Sequence, residues 1–145
     1  IEPDIICLGK ALASGVPIGA TIAKAELDFP ERGCHSNTFG GNALASVAAL
    51  ETIKILESLD REELDKKIDM LSTVSYGGLG MMQRIVCKNQ EERDSIIEAA
   101  YRTKRILLLG AGEKNIRLMP PLIISEEELL SGLQAVLVVL REIRC

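Results

Sequence analysis

The segment from Asn42 to about Ser58 limits the possible folds more than any other part of this chain. Leu44, Val47, Leu50 and Ile53 recur at three-residue steps, and Leu56 follows one turn on. That spacing predicts an α-helix with an apolar stripe. The other face of its first half is rich in alanine, so the helix presents apolar surface on two sides. It is therefore expected to be largely buried, within a globular fold that supplies cover from other elements.

The rest of the chain reads as short strands and capped helices. Ile5-Ile6-Cys7-Leu8 is a continuous apolar run, the pattern of a strand buried on both faces. Gly9-Lys10 ends it, Ala11 to Pro17 is a small-residue loop, and Ile18 to Ala25 reads as a second strand. Asp28 to Gly41 carries Pro30, Gly33, Gly40 and Gly41 and reads as loop. Asp60-Arg61-Glu62-Glu63 is a cap signature opening a helix to about Leu71. Gly77-Gly78-Leu79-Gly80 breaks the chain, and Met81 to Cys87 follows as a strand. Asn89 caps a helix from Gln90 to about Lys104. Ile106 to Leu109 reads as a strand, Gly110-Ala111-Gly112 as its turn and Asn115 to Met119 as the partner, ended by Pro120-Pro121. Ser125-x-x-Glu128 is a capping box for a last helix with Leu129, Leu133, Val136, Leu137 and Leu140 on its core face. The first 58 residues thus form one part and residues 59–145 a compact α+β part, with the boundary where apolar helix gives way to charge.

Composition narrows the function classes. With 47% apolar and 26% charged residues over 145 positions, the chain is globular and long enough to bury a core. No run of 18 apolar residues is present, which argues against a helical membrane span. A net charge of −4, 3% aromatics and no Trp argue against nucleic-acid binding, which calls for a basic face and stacking rings. Cys7, Cys34, Cys87 and Cys145 are scattered, with one histidine and no C-x-x-C, so neither a zinc site nor a disulfide framework is expected. Free thiols in a reducing cytoplasm are the expectation. Cys34 and His35 are adjacent, and neighbouring side chains seldom aim at one point, so they make a poor catalytic pair. The chain opens at Ile1 with residues that read as mid-domain, which suggests an N-terminal truncation.

Three places carry possible chemistry. Lys10 follows a buried strand and precedes a tight loop, where α/β folds place ligands. A lysine there is partly desolvated and free to form a Schiff base; the alternative is a solvated lysine at a strand end. In Asn37-Thr38-Phe39-Gly40-Gly41-Asn42, a hydroxyl, two glycines and a helix start could bind an anion, or the segment could be a capped glycine loop. Arg117 lies between apolar neighbours and points either to water or into a site where it grips a carboxylate.

Taken together, these segments resemble the class-III pyridoxal-phosphate aminotransferases, the group of 4-aminobutyrate, ornithine and acetylornithine aminotransferases. Pro3-Asp4-Ile5-Ile6-Cys7-Leu8-Gly9-Lys10-Ala11-Leu12-Ala13-Ser14-Gly15-Val16-Pro17-Ile18-Gly19-Ala20 is similar to the family's lysine segment. His35-Ser36-Asn37-Thr38-Phe39-Gly40-Gly41-Asn42-Ala43-Leu44 is similar to its next motif, and Arg117-Leu118-Met119-Pro120-Pro121-Leu122 to its late R-x-x-P-P-L element. The resemblance implies an α/β chain from the fold-type I architecture, with the tail of the large cofactor-binding domain at 1–58 and the α+β small domain at 59–145. It implies pyridoxal 5'-phosphate as cofactor, held by Lys10, Thr38, Gly40 and Gly41. Lys10 is then the catalytic residue, bonding the cofactor and moving the proton at the substrate α-carbon. Thr38 serves the cofactor phosphate across the subunit interface of a homodimer or higher homo-oligomer, and Arg117 either binds a substrate carboxylate or pairs with an active-site glutamate. The implied reaction moves an amino group from an amino acid or ω-amino acid to a 2-oxo acid.

Departures from the family pattern accompany the likeness. The family protein is far longer, and its same-subunit phosphate turn, ring-stacking aromatic and pyridine-pairing aspartate have no counterpart here. Gly77 stands where an arginine is usual, and Val86 where an acidic residue is usual. The implied state is a C-terminal fragment inactive on its own. The alternatives are a non-catalytic remnant that self-associates, a parent racemase of the same family, or a phosphate-binding module on Thr38–Asn42.

Overall fold

The computed structural model describes residues 1–31 and 33–144. It divides into two compact units, Ile1–Leu59 and Asp60–Cys145. In the first, β1 (Ile5–Leu8) and β2 (Ala20–Ala23) form an antiparallel hairpin that pairs Ile5 with Ala23 and Leu8 with Ala20. Helix α1 (Ala43–Glu57) follows. The Asn42 side chain accepts from the Ala45 N–H at 2.9 Å, which satisfies one of the free donors at the helix start.

Burial in this unit differs from the expectation. Strand β1 is exposed along its whole length rather than covered on both faces. Helix α1 buries only Ala45 and Ala49, while Leu44 and Leu50 are 73% and 58% exposed. Its apolar stripe is present, and among the described residues the 3-10 turn at Lys10–Ala13 packs against the helix. β2 is also shorter than expected, because Lys24 already leads into a 3-10 turn at Ala25–Leu27.

The second unit holds a continuous core. Helix α2 (Arg61–Ser72) starts at Asp60, whose carboxylate accepts from the Glu62 and Glu63 N–H groups. β3 (Gly78–Leu79), β4 (Met82–Val86), β5 (Leu109–Ala111) and β6 (Asn115–Leu118) form an antiparallel sheet in the order β3-β4-β6-β5. Helix α3 (Gln90–Lys104) connects β4 to β5, and β6 inserts between those two strands. Helix α4 (Glu126–Arg144) closes the unit and packs on α3 and α2. Alternation along the strands buries Ile85, Ile116 and Leu118 against the helices and leaves Met82, Arg84 and Arg117 on the open face. Leu71, Ile96 and Val139 complete the deepest layer. On α4, Leu129, Leu133, Val136 and Leu140 are buried as expected, whereas Leu137 is half-buried and Val139 takes the inner position.

Two elements fall elsewhere than the sequence indicates. Gly78 sits within β3 rather than in a break, since a Cβ there would overlap the backbone of Met82 and Gln83. The strand expected over Ile106–Leu109 begins only at Leu109. Arg105 turns left-handed at φ 57°, its N–H bonds back to Tyr101 and that of Ile106 to Ala100, and residues 106–108 carry the chain to the sheet. The turn moves accordingly to Gly112, at φ +63°.

A polar clasp joins three elements of this unit. Arg144, near the end of α4, donates from Nε to Glu92 on α3 at 2.7 Å and from its terminal nitrogen to the Val86 carbonyl of β4 at 2.9 Å. Glu92 also accepts from the Lys88 N–H, and this bond, aided by Arg144, holds its carboxyl below the usual range. A carboxyl lowered on folding stabilises the fold above its unfolded value and loses that contribution as acid protonates the folded form. Glu92→Gln should therefore cost about 2 kcal/mol at pH 7 by urea unfolding, since the bonds it breaks are charge-assisted. Below about pH 4 the difference between variant and parent should shrink.

Candidate functional site

Lys10 opens a 3-10 turn, Lys10–Ala13, directly after β1. The turn packs on α1 and buries Ala13 at 1% exposure, while Ser14 Oγ and Thr52 Oγ1 of α1 share a hydrogen bond of 3.0 Å. Ala13, Ala45 and Ala49 are the buried apolar side chains of this unit, so the lysine turn is seated by small residues that let backbone approach backbone.

Lys10 itself adopts φ +53°, and Ser14 closes the turn at φ +48°. For a residue with a Cβ, the left-handed region costs about 1–2 kcal/mol. Contrary to the expected partial desolvation, Lys10 is exposed in this chain, because the hairpin and α1 place no side chains over it. No carboxylate among the described residues pairs with its amine. The amine is thus available, on a backbone held in a strained conformation.

The loop before α1 is ordered by its own side chains. Asn37 Oδ1 accepts from the Phe39 N–H at 3.0 Å, and Asn42 Nδ2 donates to the Phe39 carbonyl at 3.0 Å. The Gly40 N–H bonds to the Asn37 carbonyl, and a Cβ on Gly40 would come within 3.2 Å of the Asn37 side chain. Gly41 turns at φ +65° into the helix. Thr38 is exposed, with its hydroxyl bonded to no described residue. His35 stacks on Phe29 with centroids 5.7 Å apart, which gives the ring a packing role rather than one beside the exposed Cys34.

The structure thus ties the lysine turn and the Thr38–Gly41 loop to one helix, the turn along its side and the loop at its start. Arg117 belongs to the second unit, on the open face of β6, directly opposite Arg84 of β4. Arg84 escaped the sequence reading, because only the strand register reveals the pair.

The profile of the class-III aminotransferase family matches residues 1–140. The chain is a class-III aminotransferase family member. An acetylornithine aminotransferase of Wolinella succinogenes is 41% identical over 146 residues, which cover 91% of this chain and 37% of that protein. One from Lactococcus lactis is 38% identical over 144 residues, covering 90% of this chain and 38% of its own length. Among solved structures, the ornithine aminotransferase of Toxoplasma gondii ME49 superposes with a TM-score of 0.82 at 26% identity, over 98% of this chain and 38% of that one. The acetylornithine aminotransferase of Elizabethkingia anophelis gives 0.72 at 28% identity, over 98% and 42%. This family member therefore spans less than half the length of the relatives it matches, with the mixed α/β fold of pyridoxal-phosphate-dependent aminotransferases over that span.

The residues present suit that cofactor in kind. An unpaired amine on a fixed turn meets the need of an aldehyde, and a free hydroxyl on a glycine loop at a helix start meets that of a phosphate. Lys10→Gly removes the strain of the left-handed backbone at this position. The variant should unfold at higher urea, by about 1 kcal/mol, because glycine enters the left-handed region without a Cβ penalty.

Proposed function

We propose that this chain supplies the covalent lysine, a phosphate-binding loop and a carboxylate-binding arginine to a pyridoxal-phosphate-dependent aminotransferase. The reaction moves an amino group from an amino acid or ω-amino acid to a 2-oxo acid. The observation that carries the reading is Lys10, left-handed just past the end of β1 and in no ion pair with a described residue, in a chain of the class-III family.

Pyridoxal phosphate, when bound, supplies an electron sink for charge developing at the substrate α-carbon. Lys10 would hold it through the amine, then take and return the α-carbon proton as general base and acid. The rigid seat of its turn on α1 fixes where that amine can reach. Thr38 would donate its hydroxyl to a cofactor phosphate, aided by the backbone of Gly40 and Gly41 and the positive end of α1. In the proposed homodimer, that phosphate belongs to the neighbouring subunit. Arg117 would grip a substrate carboxylate bidentately. Residues 1–58 would then be the tail of the large cofactor domain and 59–145 the small domain. The proposed setting is the cytoplasm; no helix among the described residues is long and apolar enough to cross a membrane.

The exposed apolar face of α1 supports a second reading, a non-catalytic chain that self-associates through this surface. One experiment separates the two. The chain is incubated with pyridoxal phosphate, reduced with borohydride and mapped by mass spectrometry, with Lys10→Ala as control. A saturable adduct confined to Lys10, and weakened by Thr38→Ala, is expected. Adducts spread over many lysines and unchanged in Lys10→Ala would favour the non-catalytic reading.

A further inference from the structure

We propose that the last turns of α4 and the segment joining α2 to β3 form a binding site for a small aromatic carboxylate, held by Arg141 and Tyr76. The site goes beyond the transamination reading and uses none of the residues assigned to it.

The two sides of the site are fixed independently. On one side, Arg141 and Arg144 are three residues apart and share a face of α4. Arg144 is tied to Glu92 and to the Val86 carbonyl, which fixes its guanidinium. Arg141 is exposed and forms no ion pair with a described residue. On the other side, the Tyr76 N–H donates to the Arg84 carbonyl at 2.8 Å, and the Arg84 N–H donates to the Gly77 carbonyl at 3.0 Å. These bonds hold the tyrosine backbone against β4. Its ring is nevertheless 67% exposed, and no described ring or cation stacks on it.

Both arginines and Tyr76 line one groove of about 370 Å³, a volume suited to a small ligand. Val74, Leu137 and Leu140 give it apolar walls, and no acidic residue lines it. Thr73 and Ser75 also border the groove, but their hydroxyl protons go to the Met70 carbonyl and to Gln83 Oε1. The arginines are therefore the donors left for an anion. The negative end of α4 accounts for cations on its last turns, but not for a bare ring across the same groove. Charge then chooses the anion. Glu92, whose carboxyl is held below the usual range, balances Arg144, so the net excess is the charge of Arg141. A carboxylate matches that single charge, which a phosphate monoester exceeds. A planar ring on the same molecule covers Tyr76 and the apolar walls, which an inorganic anion leaves unused.

The test titrates the whole 145-residue chain by calorimetry at low ionic strength, where such contacts are least screened. The probes are phenylacetate, acetate, benzyl alcohol and phenyl phosphate. Phenylacetate should bind about tenfold more tightly than each of the other three. Arg141→Gln should bring it to the level of benzyl alcohol, and Tyr76→Leu to that of acetate. Arg117→Gln should leave its binding unchanged. Phenylacetate binding no tighter than acetate or benzyl alcohol overturns the proposal, as does phenyl phosphate binding as tightly as phenylacetate. Unchanged binding in Arg141→Gln or Tyr76→Leu overturns it too, and a loss in Arg117→Gln moves the ligand to the sheet. If circular dichroism shows a variant misfolded, the four-probe comparison on the parent chain decides by itself. No cofactor enters the measurement, so its failure is separable from a failure to label Lys10.

Discussion

What the second unit shows on the open face of its sheet depends on the two-residue alternation of β4 and β6. Ile85 and Ile116 sit at 0% exposure beneath the helices, and Leu118 beside them at 5%. A one-residue slip of either strand would bury an arginine and expose an isoleucine. That penalty pins the register, and the register places Arg84 against Arg117. The apolar core thus does more than hold the unit together: it fixes the relative position of two charges on the far side of the sheet. The clasp of Arg144 on Glu92 and Val86 reinforces this by tying the end of α4 to the end of β4.

The first unit works by a different principle. Its functional candidates are positioned by small residues and local hydrogen bonds. Ala13 against α1 and the Ser14–Thr52 bond seat the lysine turn, while Asn37 and Asn42 order the glycine loop. Alanine allows close backbone approach but contributes little buried apolar area. The unit therefore combines well-defined local geometry with a thin core.

The sequence disclosed what local chemistry determines. Asp60 and Asn89 cap their helices, and Ser125 and Glu128 form the reciprocal capping box, with the Ser125 Oγ to Glu128 bond at 2.8 Å. Lys10, Thr38 and Arg117 stood out by residue type and neighbours, and the family likeness rests on the same segments. Features set by the chain's three-dimensional course stayed hidden. Arg105 ends α3 in a left-handed conformation usually taken by glycine, so the delayed start of β5 left no mark. Gly78 reads as a break until the crowding at Met82 and Gln83 shows why a strand needs it there. The stripe on α1 shows what surface the helix carries, not whether this length of chain covers it. Left-handed Lys10 has no composition signal, and Arg84 gains meaning only opposite its partner.

The thin core of the first unit has a calorimetric consequence. The heat-capacity increment of unfolding scales with apolar surface newly exposed to water. Ala13, Ala45 and Ala49 have little to expose, whereas Leu71, Ile85, Ile96, Ile116 and Val139 emerge together when the second unit opens. The curvature of the stability profile with temperature therefore belongs almost wholly to residues beyond Asp60.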